Sequence, residues 1–211
     1  MTPVQQRVVG CLVEKELTTP DQYPLSMNAL IAACNQSTNR DPVVQLDERV
    51  VSNALENLKA ESLVRVVFSK GNRVDKYRHV LPEALELDRA SLAVITVLLL
   101  RGPQTAAELR ARTERMHAFA ATHAVEHVLA QLAGRDDPLV TLLPRQPGRK
   151  EPRWAHLLGA VAATAPAPVP ESEDSSAVSA PYVAAAPEDG RITALEERVR
   201  VLEERLDQLD G

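Results

Sequence analysis

Val51-Ser-Asn-Ala-Leu-Glu-Asn-Leu58, then Leu63-Val64-Arg65-Val66-Val67, then Lys76-Tyr77-Arg78-His79 is a run that this chain writes twice. It returns as Val125-Glu-His-Val-Leu-Ala-Gln-Leu132, Leu139-Val140-Thr141-Leu142-Leu143 and Arg153-Trp154-Ala155-His156. The copies are offset by 74 residues at the helical stretch and by 77 at the last one, so short loop insertions separate two versions of one unit. A repeat of this kind constrains the architecture before any single residue is weighed. In each copy, apolar residues at helical spacing precede two short strand-like runs that flank a turn bearing Gly, Lys and Arg. Two more helical stretches lie upstream. Three helices followed by a hairpin is the winged-helix arrangement, a helix-turn-helix variant that often binds nucleic acid. The expected fold is mainly α with small β-ribbons, built as two tandem winged-helix domains over residues 1–82 and 83–158.

The first unit opens with an amphipathic stretch, Val8, Val9, Leu12 and Val13, that runs to Leu17 and is broken by Thr18-Thr19-Pro20-Asp21. Ser26 is placed to cap a second helix carrying Leu30, Ile31 and Cys34. Asp47 caps a third, with Leu46 packing on Val51 as a hydrophobic staple and Val51, Ala54, Leu55 and Leu58 inward. Val64–Phe68 and Asp75–Val80 read as the hairpin around Gly71-Asn72. In the second unit Asp88 is a cap between Leu87 and Leu92, and the run from Leu92 to Leu100 reads as a helix buried on most sides. Thr105 and Glu108 form a capping box, and Thr122 is the expected cap of the third helix. Leu139–Leu143 and Pro152–Leu157 form the second ribbon, around Pro147-Gly148.

The chain has 211 residues and 45% hydrophobic content, enough for one or two small domains with cores of their own. It contains no apolar run of the roughly 18 residues that a membrane helix needs, so no membrane partner is expected. The start, Met-Thr-Pro-Val-Gln-Gln-Arg, lacks the regions of a signal peptide. Cys11 and Cys34 fall on apolar helix faces and read as core residues in a reducing cytoplasm. The net charge of −5 divides unevenly: residues 160–211 carry −7 and residues 1–159 carry +2. A body so close to neutral neither demands nor excludes a polyanionic partner.

Residues 159–190 are dominated by Ala, Pro, Ser and acidic residues with no periodicity. This composition predicts a disordered linker whose ends lie roughly 30 Å apart. In residues 191–211, Ile192, Leu195, Val199, Leu202, Leu206 and Leu209 are spaced 3, 4, 3, 4, 3, an a/d heptad seam. Arg191, Arg198 and Arg205 occupy g, and Glu196, Glu203 and Asp210 occupy e. That charge pattern pairs Arg with acid only when the helices run parallel, which predicts a coiled-coil helix and a parallel homodimer. The alternative is an amphipathic helix packed on its own chain.

Glu14-Lys15-x-x-Thr18-Thr19-Pro20-Asp21-x-Tyr23-Pro24-Leu25-Ser26 and Ala33-Cys34-Asn35-Gln36-x-x-Asn39-Arg40 resemble the YceH family. So do Leu100-Arg101-Gly102-Pro103-Gln104-Thr105, Glu114-Arg115-x-His117-x-Phe119 and Leu143-Pro144-Arg145-x-Pro147-Gly148-Arg149. The resemblance covers about residues 3–159. It implies a bacterial, cytosolic, tandem winged-helix protein and brings with it no catalytic residues.

The chemistry is sparse. No Gly-x-Gly-x-x-Gly, P-loop, Gly-x-Ser-x-Gly or Cys-x-x-Cys is present, so neither an enzyme nor a cofactor is expected. His123 and His127 stand one turn apart with no third ligand on their face, and they read as solvated rather than metal-binding. His79 and His156 end equivalent ribbons and should close them over the core, with Tyr77 and Trp154 as core plugs.

The third helices are poor groove readers: residues 47–61 are net −2, and residues 122–134 hold no Lys or Arg. Positive charge sits on the wings instead. The first carries Arg65, Lys70, Arg73, Lys76 and Arg78, and the second carries Arg145, Arg149, Lys150 and Arg153. The loop before the second wing adds Arg110, Arg112 and Arg115. Two functions fit. One is a nucleic-acid-associated regulator whose wings hold duplex DNA phosphates with little base readout. The other is a protein–protein adaptor that does not bind DNA. Fold analogy favours the first, which is the working expectation, and helix charge favours the second.

Overall fold

Three side-chain caps determine where three of the helices begin. Asp47 Oδ1 and Asp88 Oδ1 accept from the N–H groups of Val50 and Ser91, each at 2.8 Å. Thr105 Oγ1 accepts from Glu108 N–H at 3.2 Å while Glu108 Oε2 accepts from Thr105 N–H at 2.9 Å, completing the expected capping box. Caps of this kind contribute about 1 kcal/mol each by satisfying donors that the helix leaves unpaired. Ser26 also caps as read, accepting from Ala29 N–H at 3.4 Å. Thr122 does not. The preceding residue, Ala121, holds the N-cap position without a capping side chain, and Thr122 is the first helical residue.

A computed structural model describes residues 1–68, 74–145 and 151–159. The helices are α1 (Pro3–Thr18), α2 (Met27–Cys34), α3 (Glu48–Ala60), α4 (Leu81–Leu85), α5 (Arg89–Arg101), α6 (Ala106–Thr113) and α7 (Thr122–Ala133). The strands are β1 (Leu25–Ser26), β2 (Val64–Val67), β3 (Lys76–His79), β4 (Val140–Leu142) and β5 (Trp154–His156). The described chain is thus mainly helical with small antiparallel sheets, in the manner of winged-helix folds. None of its helices is long and apolar enough to cross a membrane. The linker segment 160–190 and the heptad segment 191–211, with Ile192, Leu195, Val199, Leu202, Leu206 and Leu209, lie outside the described residues.

The repeat extends further than the sequence alone indicated. β1, β3 and β2 form one antiparallel sheet in that order, with Leu25 opposite Tyr77. In the second half, Gln104 and Trp154 exchange backbone hydrogen bonds at 3.0 and 2.8 Å, so Gln104 stands beside β5 as Leu25 stands beside β3. Both residues lie directly before a helix cap, Ser26 in one case and Thr105 in the other. The added strand is too short to show an alternating pattern.

α1 and α5 are the inner helices. Residues 5–14 of α1 and 92–100 of α5 are all buried, and the two helices pack on one another. Gly10 permits their approach: a Cβ built on it would lie 2.8 Å from Leu100 Cδ2. Glycine in a helix interior costs up to about 1 kcal/mol relative to alanine, so the close contact accounts for its presence. The buried apolar residues of both halves join in one cluster that includes Leu12, Leu55, Ile95, Leu98 and Leu129. Cys11 and Cys34 are buried free thiols within it.

Tyr77 and Trp154 are only half-buried and pack against the edge of this cluster, contrary to their expected role as core plugs. His79 and His156 go deeper, at 4% and 8% exposure. Each is the last residue of its strand.

Candidate nucleic-acid interface

Strand alternation sorts the first ribbon into two faces. Val64 opposes His79 and Val66 opposes Tyr77 on the face toward the helices. Arg65 opposes Arg78 and Val67 opposes Lys76 on the outer face. Three of the expected phosphate-binding cations, Arg65, Lys76 and Arg78, therefore share one surface. Arg78 lies 3.5 Å from the exposed Glu83 of α4, a pair that solvent leaves weak. Lys70 and Arg73, the other expected cations of this wing, lie outside the described residues. At the ends of the described wing stand Phe68 and Val74, 82% and 60% exposed. Phe68 directly follows β2, and nothing in its sequence neighbourhood marked it as solvent-facing.

The second ribbon differs. Arg153 donates to both carboxylate oxygens of Glu108, at 2.8 and 2.9 Å, and to Pro103 O at 2.8 Å. Burial works to raise the Glu108 pKa, but the Thr105 N–H and the Arg153 guanidinium together hold it below its ordinary value. Arg153 thus ties the ribbon to the start of α6. Arg145 is exposed at the end of the described ribbon, and Arg149 and Lys150 lie outside the described residues. Arg110 and Arg112, expected in a loop, lie on α6, and Arg110 donates to Phe119 O and Ala120 O at 3.3 and 3.2 Å, bracing the connection between α6 and α7.

The outward side of α3 bears Glu48, Arg49, Asn53, Glu56, Asn57 and Lys59. Burial raises the Tyr77 pKa, and Asp75, Glu56 and Glu48 add to the shift, which puts the acidic side of α3 within electrostatic reach of the wing. On α7 the exposed residues are His123, Glu126, His127, Ala130 and Gln131. No group of three His, Cys, Asp or Glu side chains suited to a metal occurs among the described residues.

Reasoning from sequence missed the groups that fasten the turn between α2 and α3. Arg40, at 5% exposure, donates to Glu14 Oε1 and Oε2 at 3.0 and 2.6 Å and to Ala33 O at 3.1 and 3.0 Å. Burial opposes its charge, yet the carboxylate keeps its pKa above the ordinary value. Arg7 donates to Cys34 O at 3.1 Å, and the Asn35 amide makes two bonds with the Leu46 backbone, at 2.9 and 2.8 Å. Glu14 and Arg40 are 26 positions apart, and neither stands in a pattern that predicts burial.

His79 Nε2 lies 2.6 Å from Glu16 Oε2, while Nδ1 accepts from Leu81 N–H at 3.4 Å. Burial lowers its pKa, the Glu16 carboxylate working against that, and the accepting Nδ1 fits a neutral ring. Burial, with the chain's N-terminal charge nearby, takes His156 to about 4.

Residues 1–149 match the family described as "Protein of unknown function, DUF480". The UPF0502 protein of Geobacter sulfurreducens is 56% identical over 158 residues, covering 75% of this chain and 72% of its own. That of Pelobacter propionicus is 58% identical over 155 residues, covering 74% and 70%. That of Geobacter metallireducens is 51% identical over 202 residues, covering 95% and 85%, and so reaches into the linker and heptad segments.

Proposed function

This chain belongs to the bacterial DUF480 family, and from that premise we propose that it is a non-enzymatic, cytoplasmic, tandem winged-helix protein that associates with nucleic acid through its first wing. The observation that carries the reading is the outer face of the β2–β3 ribbon, where Arg65, Lys76 and Arg78 stand together. Setting like charges opposite one another costs stability in a ribbon, and a row of backbone phosphates would repay it. Lys70 and Arg73, between the two strands in sequence, would add two further cations. The acidic outer side of α3 disfavours insertion into a groove, so the binding mode is phosphate contact with little base readout.

The heptads of residues 191–211 would join two copies in parallel, doubling the number of wings presented to one duplex. Deleting residues 190–211 should then turn a dimer into a monomer in light scattering. A full-length chain that is monomeric at tens of micromolar ends the dimer proposal.

The test of the main reading is a gel shift on generic duplex DNA across a salt series. Binding should weaken with salt, and Arg65→Ala with Lys76→Ala should lower the slope of log affinity against log salt by about 0.9 for each contact removed. A folded protein with no measurable binding at low salt rules it out. A protein–protein adaptor is the second reading, supported by α7, whose outward face carries no Lys or Arg. It requires the reverse pattern, with wing variants silent and Glu126→Ala or His127→Ala abolishing capture of a partner.

A further inference from the structure

We propose that the cleft between α1, the turn at residues 36–39, and the C-terminal ends of α5 and α6 binds a small phosphorylated molecule, at a site separate from the wing.

The cleft has a volume of about 310 Å³. This is at the lower end of the range for small-ligand sites, roughly 300–1,000 Å³, and suits a compact metabolite better than a polymer. Four cations line it from three helices: Lys15 on α1, Arg101 on α5, and Arg112 and Arg115 on and just after α6. No residue of the β2–β3 ribbon takes part.

The acids on the same walls leave this charge largely uncompensated. Glu14 turns both of its oxygens to the buried Arg40, so that pair is internally neutral. Glu114, at the end of α6, is the other acid lining the cleft. Among the described residues, Lys15, Arg112 and Arg115 make no ion pair within 4.0 Å. Burial and then the neighbouring Arg112 lower the Arg101 pKa, with Asp41 and Glu108 working against them. Like charges gathered in a recess are held there at a cost that a bound anion would remove.

One of the cations is already oriented. Arg101 Nη1 donates to Asn39 Oδ1 at 3.1 Å, which leaves its remaining N–H groups for a ligand. Asn39 is itself fixed, at φ 59 in the left-handed region and with its carbonyl accepting from Arg40 at 2.9 Å. Gln36 Oε1 accepts from Arg40 at 3.1 Å, so its amide N–H groups point elsewhere and are available as donors. Thr38, also on the wall, adds a hydroxyl. Guanidinium and ammonium donors lining one cleft from separate elements suit a phosphate dianion with three acceptor oxygens, whereas a single carboxylate would satisfy one arginine.

The lining brings together residues far apart in sequence, Lys15, Gln36, Arg101 and Arg115 among others.

The experiment uses the full-length protein with inorganic phosphate and glycerol 3-phosphate as probes, against sodium chloride at matched ionic strength. Melting temperature and calorimetry should both report saturable binding of the probes beyond the chloride control. Arg112→Gln with Arg115→Gln, at positions free of structural bonds, should keep the unliganded melting temperature and weaken phosphate binding about tenfold or more. The same variant should leave the duplex DNA gel shift unchanged. Absence of saturable binding at millimolar phosphate, or equal binding by the variant, overturns the proposal. So does a variant that loses DNA binding while its phosphate binding stays intact, since the cleft would then serve a nucleic-acid backbone.

Discussion

Arg65 and Arg78 stand directly opposite one another across the β2–β3 ladder, two guanidinium groups at one register position on the outer face. Like charges so placed destabilise a ribbon by about 0.2–1 kcal/mol relative to a neutral pair. A ribbon that only covered the core would be better served by threonine at either site. Arg65→Thr should therefore raise the denaturant midpoint slightly and, on the proposed function, weaken duplex DNA binding. Higher stability with unchanged DNA binding would remove this face from the interface.

Gly10 should be intolerant of even the smallest side chain. A Cβ there meets Leu100 Cδ2 at 2.8 Å and Leu99 Cβ at 3.4 Å, both in the buried stretch of α5. Overpacking of this kind costs about 1–3 kcal/mol, which exceeds the roughly 1 kcal/mol that alanine adds to helix propensity. Gly10→Ala should lower the urea midpoint; a midpoint at or above that of the parent would show that α1 and α5 can separate freely.

Glu14 and Arg40 make an asymmetric prediction. Arg40→Met strands a buried carboxylate and should cost about 3–5 kcal/mol by chemical denaturation. Glu14→Leu combined with Arg40→Met removes both charges and should recover much of that loss. If the double variant is no more stable than the single one, the pair contributes through the carbonyl contacts of Arg40 and not through charge.

His156 should make the fold sensitive to mild acid. Its folded pKa of about 4 lies below the ordinary 6.5, so the unfolded chain binds its proton first as pH falls. Stability is then complete above pH 6.5 and declines toward pH 4. His156→Gln, which stays neutral, should show a shallower decline across that window, read from midpoints at several pH values. Because the burial-lowered His79 titrates in the same direction, some decline should remain.

Local rules written in the chain determined much of this protein. Apolar spacing set the helices, and short-range caps such as Asp47, Asp88 and Thr105 set their starts, because each cap acts within three residues of itself. The repeated helix-and-ribbon pattern announced the fold class, while the pairing of β2 with β3 put Arg65, Arg78 and Lys76 on one face. Tertiary structure decided what depends on segments meeting across long separations. No local pattern marks Gly10 as the point where α1 touches Leu100, or Glu14 as the partner of Arg40. Leu25 and Gln104 stand in stretches too short to alternate, so their pairing emerges only once β3 and β5 are beside them. Arg153 and Arg112 look alike as exposed cations in sequence. Packing sends one to Glu108 and leaves the other at the rim of the cleft, because the partner of a long, flexible side chain is chosen by which helix end is brought beside it.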